Sequence, residues 1–171
     1  NHKNSYQLLA TIYYELGEKA YNQKQYDNAI NNFIKSNQNE ANYEHSNFYL
    51  AKIYFGKNDL NKAKEYIEEY LKKSNYELSA LLFAADIYTK LNDLNNAEKY
   101  YLIALNNSDK LPTAAEKATE FFYEFKKDYP KVISIIKEKF EIHKLQSRKI
   151  LLYLANSYYF TNNNQEAINI Y

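Results

Sequence analysis

One spacing recurs along the chain and constrains its fold more than any other feature. Three alanines, Ala29, Ala63 and Ala97, lie 34 residues apart, and Val132 and Ala167 follow at steps of 35. A fixed period of about 20–50 residues is typical of stacked repeats, in which each repeat packs on its neighbours. The spacing therefore predicts about five copies of one structural repeat, and we call these five residues the anchors.

Other positions recur in step with the anchors and indicate what each repeat is. Twelve residues before the anchor stands a small residue in four repeats: Gly17, Ala51, Ala85 and Ala155. Nine residues before it come Ala20, Tyr54, Tyr88 and Tyr158, and four after it come Phe33, Ile67, Tyr101 and Tyr171. Small residues on facing helices let the two backbones approach closely, and large residues one turn away fill the space beside them. Each repeat is therefore predicted to be a helix, a short turn and a second helix.

The fourth repeat departs from this pattern. Residues Ala84, Ala85 and Tyr88 of the third repeat map, 34 positions on, to Ala118, Thr119 and Phe122, although the next anchor comes one residue late. We infer one extra residue in the turn around Lys126–Asp128 and another between the fourth and fifth repeats. Pro112 and Pro130 are predicted to begin the two helices of this repeat, because proline is favoured in a first helical turn.

The composition fits an all-helical chain. Only 2 Gly and 2 Pro occur in 171 residues, whereas strands joined by tight turns would need more glycine. No apolar run approaches the ~20 residues needed to span a membrane. The absence of Cys excludes disulfides and leaves the compartment open between cytoplasm and bacterial periplasm. The chain starts at Asn1 without Met and stops at Tyr171 inside a predicted helix, so we expect a fragment of a longer protein.

With these positions in this order, the chain resembles the tetratricopeptide repeat family, whose unit is a 34-residue helix-turn-helix. The resemblance implies an all-α fold, a right-handed α-solenoid of antiparallel helix pairs. It implies a single repeat domain over 1–171, with the fourth repeat degenerate and the fifth truncated. The repeats are predicted at 10–43, 44–77, 78–111, 112–147 and 148–171.

Enzymatic chemistry finds no support in the sequence. A phosphate-binding loop needs several glycines close together, but Gly17 and Gly56 are far apart and fall on predicted helices. The three histidines, His2, His45 and His143, lack the spacing of metal ligands. We therefore expect no enzyme activity, no metal site and no cofactor.

The charge balance disfavours nucleic acid as a partner, since 22 Lys and Arg face 21 Asp and Glu. One stretch, from Lys126 to Lys149, carries eight basic residues against three acidic ones. Such a cluster raises the local potential and could attract nucleic acid or an acidic partner. The simpler interpretation is the solvated face of one helix with its loops. We expect no nucleic-acid partner and no membrane contact within this fragment.

In the family, the first helix of every repeat lines the inside of the superhelix, so the resemblance implies a partner-binding groove. The implied groove residues of the first three repeats are Tyr14, Glu18, Tyr21, Phe48, Lys52, Phe55, Leu82 and Asp86. Leu152, Asn156, Tyr159 and Thr89 hold corresponding positions. Tyr and Phe suit recognition, because they contribute large contact areas and lose little rotamer entropy. The alternative is that about half of these aromatics pack between neighbouring helices.

The groove residues also disfavour one known mode of binding in the family, the clamping of chaperone C-terminal carboxylates by Lys, Asn and Arg. Tyr14, Glu18, Leu82 and Asp86 stand in those places, and the two acidic residues would repel a carboxylate. The first hypothesis is a protein-interaction scaffold that holds an apolar or amphipathic helix, or an extended peptide with one basic residue. The alternatives are self-association through the uncapped C-terminal repeat and an envelope-anchored assembly scaffold.

Overall fold

All regular structure in the described part of the chain is helical. The computed structural model describes residues 2–39, 44–74, 77–107, 112–141 and 147–170. The chain divides into two compact units, Asn1–Leu91 and Asn92–Tyr171. This boundary falls inside the predicted third repeat, and the grouping of all five repeats in one domain stays a prediction.

The first compact unit consists of five helices that follow the predicted repeats. They are α1 (His2–Asn22), α2 (Tyr26–Asn39), α3 (Glu44–Gly56), α4 (Leu60–Leu71) and α5 (Leu78–Lys90). Helix α1 packs on α2, α2 on α3, α3 on α4 and α4 on α5. The first two repeats are thus helix pairs, and α5 is the first helix of the third repeat.

The second compact unit continues the same order of elements. Its helices are α6 (Leu94–Asn106), α7 (Pro112–Phe121), α8 (Tyr129–Lys139), α9 (Arg148–Phe160) and α10 (Asn164–Ile170). A five-residue π-helical segment, Phe122–Lys126, extends α7. Pro112 begins α7, and Pro130 lies in the first turn of α8, as the sequence predicts. Helix α8 packs on α9 and α9 on α10.

The small positions lie where helices approach closely. Ala51, Ala85 and Ala155 are at most 1% exposed, and all five anchors are at most 3% exposed. At Gly17 a Cβ atom would lie 2.6 Å from Cε1 of Phe33, a fully buried ring on α2. The side chain of Phe33 therefore occupies the space that a larger residue on α1 would need.

The turns inside the repeats share one backbone geometry. Each has one residue in the left-handed region: Lys24, Asn58, Asn92, Lys127 and Asn162, with φ of 55–62°. A residue in this conformation ends a helix by satisfying its last carbonyl groups. The next residue often caps the following helix, as Asp59 does by accepting a hydrogen bond from the backbone nitrogen of Lys62 at 3.2 Å.

The extra residue of the fourth repeat lies before the turn and not in it, which corrects the sequence prediction. In the turns of the first, second and fifth repeats, the backbone nitrogen of the residue after the left-handed position donates to a carbonyl five residues earlier, as from Asp59 to Tyr54 at 2.9 Å. In the fourth repeat this hydrogen bond spans six residues, from the nitrogen of Asp128 to the carbonyl of Phe122 at 3.0 Å. The π-helical segment takes up the insertion, because each of its turns holds one more residue than an α-helical turn. The turn itself keeps its ordinary geometry at Lys127.

Candidate peptide-binding groove

The first compact unit places a carboxylate between two tyrosines of successive first helices. Oε1 of Glu18 accepts hydrogen bonds from the hydroxyl of Tyr14 at 2.8 Å and from the hydroxyl of Tyr49 at 2.7 Å. Tyr14 lies one turn before Glu18 on α1, and Tyr49 lies on α3. The carboxylate of Glu18 thus links α1 to α3 through hydrogen bonds, because a carboxylate accepts several strong hydrogen bonds.

Burial and the neighbouring carboxylate hold both tyrosines in their neutral form. Burial raises the pKa of Tyr14 well above its ordinary value, and the hydrogen bond to Glu18 raises it further. The same two causes, in the same order, raise the pKa of Tyr49. An ionised hydroxyl could no longer donate and would repel the carboxylate. Both hydroxyls therefore remain donors across the physiological pH range.

Aromatic rings connect successive first helices at one recurring position. The centroids of Tyr21 on α1 and Tyr49 on α3 are 5.0 Å apart, and their rings meet edge to face. One repeat later, the centroids of Phe55 on α3 and Phe83 on α5 are 5.1 Å apart in a similar arrangement. Edge-to-face pairs at this distance are favourable beyond the area that they bury. We call these the aromatic pairs.

Lys52 is one of the cations of this surface, and two aromatic rings lie beside its ammonium group. Its Nζ lies 4.1 Å from the ring centroid of Phe48 and 5.5 Å from that of Tyr49. Burial lowers the pKa of Lys52, and the charge of Glu77 opposes this only in part. Within the described residues, Lys52 forms neither a hydrogen bond nor an ion pair through its ammonium group. The rings stabilise the cation from one side.

A cleft of about 330 Å³ opens beside this cation. It is lined by Tyr21, Tyr26, Lys52, Ile53, Gly56 and Lys57. Two predicted groove residues, Tyr21 and Lys52, therefore border one cavity together with residues of the turn into α2 and the end of α3.

All eight predicted groove residues lie on α1, α3 and α5, and all but one of them are partly exposed. Tyr14, Glu18, Tyr21, Phe48, Lys52, Phe55 and Asp86 are partly exposed on α1, α3 and α5. Leu82 is only 6% exposed and offers almost no contact surface. Several of the aromatics pack on other rings, as the alternative interpretation expects: Phe48 stacks on Tyr70 of α4 at 5.1 Å.

Sequence reasoning missed Tyr49 and Phe83, the second members of the aromatic pairs. A signal for them exists, since the position fourteen residues before the anchor holds Tyr49, Phe83 and Tyr153 in three repeats. This row lies next to the row that contains Tyr14 and Phe48. Both rows therefore contribute to the surface.

The second compact unit repeats the aromatic pair with different charges around it. Tyr123 and Tyr153 stack with centroids 4.2 Å apart, and the hydroxyl of Tyr153 donates to Oε1 of Glu124 at 2.9 Å. Here the nearby cation, Lys149, forms an ion pair with Glu120 at 2.7 Å. Asn156 donates to the hydroxyl of Tyr123 at 2.9 Å, while Leu152 and Tyr159 are 48% and 61% exposed.

Three other kinds of site were considered among the described residues: a metal site, a membrane-spanning helix and a basic patch. None of them form a group of three or more His, Asp or Glu able to hold a metal ion. None of the described helices has the length and hydropathy that crossing a bilayer requires. Part of the basic stretch is neutralised internally, as by the 2.7 Å ion pair between Lys126 and Glu98. Lys144 of that stretch lies outside the described residues.

Comparison with known proteins bears out the resemblance to one family. Residues 45–72 and 78–109 match the family model of the tetratricopeptide repeat. Both segments coincide with repeats predicted from the anchor spacing, 44–77 and 78–111. No curated protein matches the chain by sequence.

Solved structures share the fold at low sequence identity. The MamA protein matches with a TM-score of 0.79 and 16% identity, covering 95% of this chain and 87% of its own. YrrB, described as a TPR protein with an unusual peptide-binding site, matches with a TM-score of 0.75 and 13% identity, covering 92% and 80%. PilF of Pseudomonas aeruginosa matches with a TM-score of 0.70 and 12% identity, covering 97% and 75%. The fold class is thus the all-α solenoid of helix pairs that the sequence predicts.

Proposed function

We propose that this chain, a tetratricopeptide-repeat protein, is a protein-interaction scaffold that holds a peptide or helix of a partner on its first compact unit. The repeat is a non-catalytic interaction module. The binding surface consists of the partly exposed faces of α1, α3 and α5, with Lys52 at its centre. YrrB, a protein of the same fold, is described as having a peptide-binding site.

The observation that carries this proposal is the environment of Lys52. The ammonium group lies on two aromatic rings, and burial lowers its pKa, so the side chain pays a desolvation cost. A carboxylate from a partner would offset that cost, because an opposite charge in a partly buried site favours the charged form of lysine. The Lys52 site therefore suits an acidic side chain of the bound segment, whereas the sequence alone suggested a basic residue opposite Glu18 and Asp86.

The neighbours of Lys52 define the rest of the partner's chemistry. Tyr21 borders the same cleft, and Phe55 and Phe83 extend an aromatic surface along α3 and α5. Glu18 already accepts two tyrosine hydroxyls through Oε1 and holds negative charge on the α1 side. An amphipathic segment with one acidic residue followed by apolar residues matches this arrangement better than a segment with two adjacent carboxylates.

A selection from random peptides tests the proposal. Twelve-residue peptides displayed on phage are selected against the immobilised 171-residue chain, and enriched sequences are synthesised and titrated calorimetrically. We expect peptides in which Asp or Glu adjoins an aromatic or branched apolar residue. A single site of this kind typically binds near micromolar, or roughly −8 kcal/mol.

Two lysine variants identify the site. Lys52→Ala should weaken binding of the selected peptide about tenfold, since a charge-assisted contact is worth ~1.4 kcal/mol or more. Lys62→Ala is the matched control, because Lys62 also lies over a tyrosine ring, that of Tyr54 at 4.9 Å, but on α4. Peptides that bind both variants with wild-type affinity would place the binding surface elsewhere.

A further inference from the structure

Each compact unit contains three tyrosines whose rings form one group. The first group is Tyr21, Tyr26 and Tyr49, and the second is Tyr123, Tyr129 and Tyr153. In each group the middle tyrosine lies three residues before an anchor. Its ring meets that of the first tyrosine edge to face, with centroids 5.9 Å apart in the first group and 5.7 Å apart in the second. The first and third tyrosines are an aromatic pair, so the two groups have the same order of rings.

The two groups differ in what lies beside the middle tyrosine. In the second unit, the ring of Phe160 stacks on Tyr129 with centroids 4.5 Å apart. Phe160 lies seven residues before its anchor, and the residue at this position of the second repeat is Gly56. A Cβ atom added to Gly56 would meet none of the described atoms within 4 Å. The place that a phenylalanine ring fills in the second unit is therefore open in the described part of the first.

The third repeat fills the same position with a different side chain. Lys90 lies seven residues before the anchor of that repeat, and its Nζ lies 4.5 Å from the ring centroid of Phe55. Lys90 and Phe160 thus each lie on an aromatic ring of the preceding repeat. Gly56 has no side chain that could do so, and the space beside Tyr26 of the first repeat remains open.

This open space is the cleft of about 330 Å³, which both Tyr26 and Gly56 line. Tyr26 is 40% exposed, whereas its counterpart in the second unit, Tyr129, is half-buried. A stacked aromatic ring gains contact area and a favourable ring-ring interaction, and it loses little rotamer entropy. The lining and the exposed tyrosine face therefore suit one aromatic ring.

We propose that this cleft is a subsite for one aromatic side chain of the bound segment, which stacks on Tyr26 as Phe160 stacks on Tyr129. The inference rests on the proposed function, because it specifies a second residue of the segment that the Lys52 surface holds. It narrows the apolar neighbour of the acidic residue to phenylalanine, tyrosine or tryptophan.

Charge determines which residue of the segment lies next to that ring. Two lysines line the cleft, Lys52 and Lys57. Lys57 forms an ion pair with Asp27 at 2.6 Å, whereas the ammonium group of Lys52 lies on aromatic rings. A carboxylate of the segment is therefore directed to Lys52. Because both contacts are made at one cleft, the aromatic residue adjoins the acidic one in the segment.

A fluorinated dipeptide tests the subsite without knowledge of the natural partner. The probe is the N-acetylated amide of aspartate followed by 4-fluorophenylalanine, and its ¹⁹F NMR signal is followed as the 171-residue chain is added. The unfluorinated dipeptide of aspartate and phenylalanine should displace it. The dipeptide of aspartate and alanine should displace it at least about fivefold less well. Equal displacement by the two competitors, or no binding of the probe up to about 10 mM, overturns the proposal.

Two substitutions of one residue locate the probe. Gly56→Phe should fill the cleft as Phe160 fills its counterpart and weaken probe binding at least about tenfold. Gly56→Ala is the matched control, because it adds only the Cβ atom and should bind within about twofold of the wild type. Gly56 has no positive φ, so both residues fit its backbone conformation. Wild-type binding by Gly56→Phe overturns the proposal.

A third variant separates this inference from the proposed function. If Lys52→Ala binds the probe like the wild type and Gly56→Phe does not, the subsite is supported and the acidic contact of the proposed function fails. If the selected peptides lose affinity with Lys52→Ala but keep it with Gly56→Phe, the proposed function stands and the subsite is overturned. Circular dichroism verifies helix content, and Tyr26→Ala, which removes the stacking ring, replaces Gly56→Phe if that variant unfolds.

Discussion

The two compact units each have an aromatic pair at the same position of the repeat. The lysines beside the two pairs differ in what they contact. In the first unit, Tyr21 meets Tyr49, and Lys52 lies on aromatic rings without an ion pair among the described residues. In the second unit, Tyr123 meets Tyr153, and the 2.7 Å ion pair with Glu120 neutralises Lys149. The scaffold is shared, whereas the charge available to a partner differs.

This difference distinguishes the residues that pack the repeats together from the residues that a partner can contact. The aromatic pairs join successive first helices in both units, so they belong to the packing of the repeats. A charged group that forms an ion pair within its own chain contributes little to attracting a partner. A charged group without such an ion pair attracts an opposite charge at short range. The comparison therefore favours the first unit for the proposed binding surface, although both units carry exposed aromatics.

The largest effect should come from breaking the scaffold of the first unit. Ala63 is fully buried at the anchor of the second repeat, so Ala63→Glu buries an unpaired charge. We expect a loss of about 4 kcal/mol or more, enough to unfold this unit. Thermal denaturation followed by circular dichroism measures the loss. Asn61→Glu, at an exposed position of the same helix, is the control, and a wild-type melt of Ala63→Glu would contradict the anchor register.

A smaller effect should distinguish the two glycines of the first unit, Gly17 at the small position of its repeat and Gly56 at the end of α3. Gly17→Ala brings a Cβ within 2.6 Å of the Phe33 ring and should cost about 1–3 kcal/mol from overpacking. Gly56→Ala meets no atom within 4 Å and should be neutral or stabilise by up to about 1 kcal/mol. Urea denaturation of both variants measures the difference. Equal stability of the two variants would show that the Phe33 ring can move aside.

The smallest effect concerns the tyrosines that donate to carboxylates in the two units. Burial first, and then Glu18 or Glu124, raises the pKa of Tyr14 and of Tyr153 above the ordinary 10.0. A raised folded-state pKa contributes stability that is complete below pH 10 and is lost as pH rises through the folded value. The free energy of unfolding, measured in urea, should therefore decrease between about pH 10 and 11. This range contains only the first part of the loss, because the folded-state pKa values lie higher.

Phenylalanine substitutions show which of the two compact units causes the loss of stability at alkaline pH. Tyr14→Phe and Tyr153→Phe should each make the fall in stability with pH shallower than in the wild-type chain, because one titrating group is gone. The control is Tyr6→Phe, which removes a hydroxyl from a side chain that is 54% exposed. An unchanged slope in both test variants would mean that these hydroxyls do not remain protonated in the folded state.

Much of the fold follows from the period of the sequence. The anchors Ala29, Ala63 and Ala97 and the small residues twelve positions earlier locate each helix pair, and the structure buries all of them. The extra residue of the fourth repeat was placed in the turn, but it lies in the π-helical segment before it. Periodicity counts residues and does not distinguish a longer turn from a helix with one more residue per turn.

The candidate site was less predictable than the fold. The family resemblance brought Tyr14, Glu18, Lys52 and Phe55 to one set of helices, but it also included Leu82, which is buried. It omitted Tyr49, because the resemblance named only certain rows of the first helix. Adjacent rows of a helix differ by about 100° in direction, and only the angle between packed helices decides which of them stays exposed.

The sequence by itself determined the repeat length, the helix pairs and the residues that must be small. These properties depend on local helical periodicity and on side-chain size, and both are written in each repeat. The tertiary structure alone decided that Tyr49 of α3 shares the carboxylate of Glu18 with Tyr14 of α1. That outcome depends on a distance of a few ångströms between side chains 31 residues apart in sequence. Electrostatic and hydrogen-bond energies change steeply over such distances, whereas shifts of this size leave the repeat pattern unchanged.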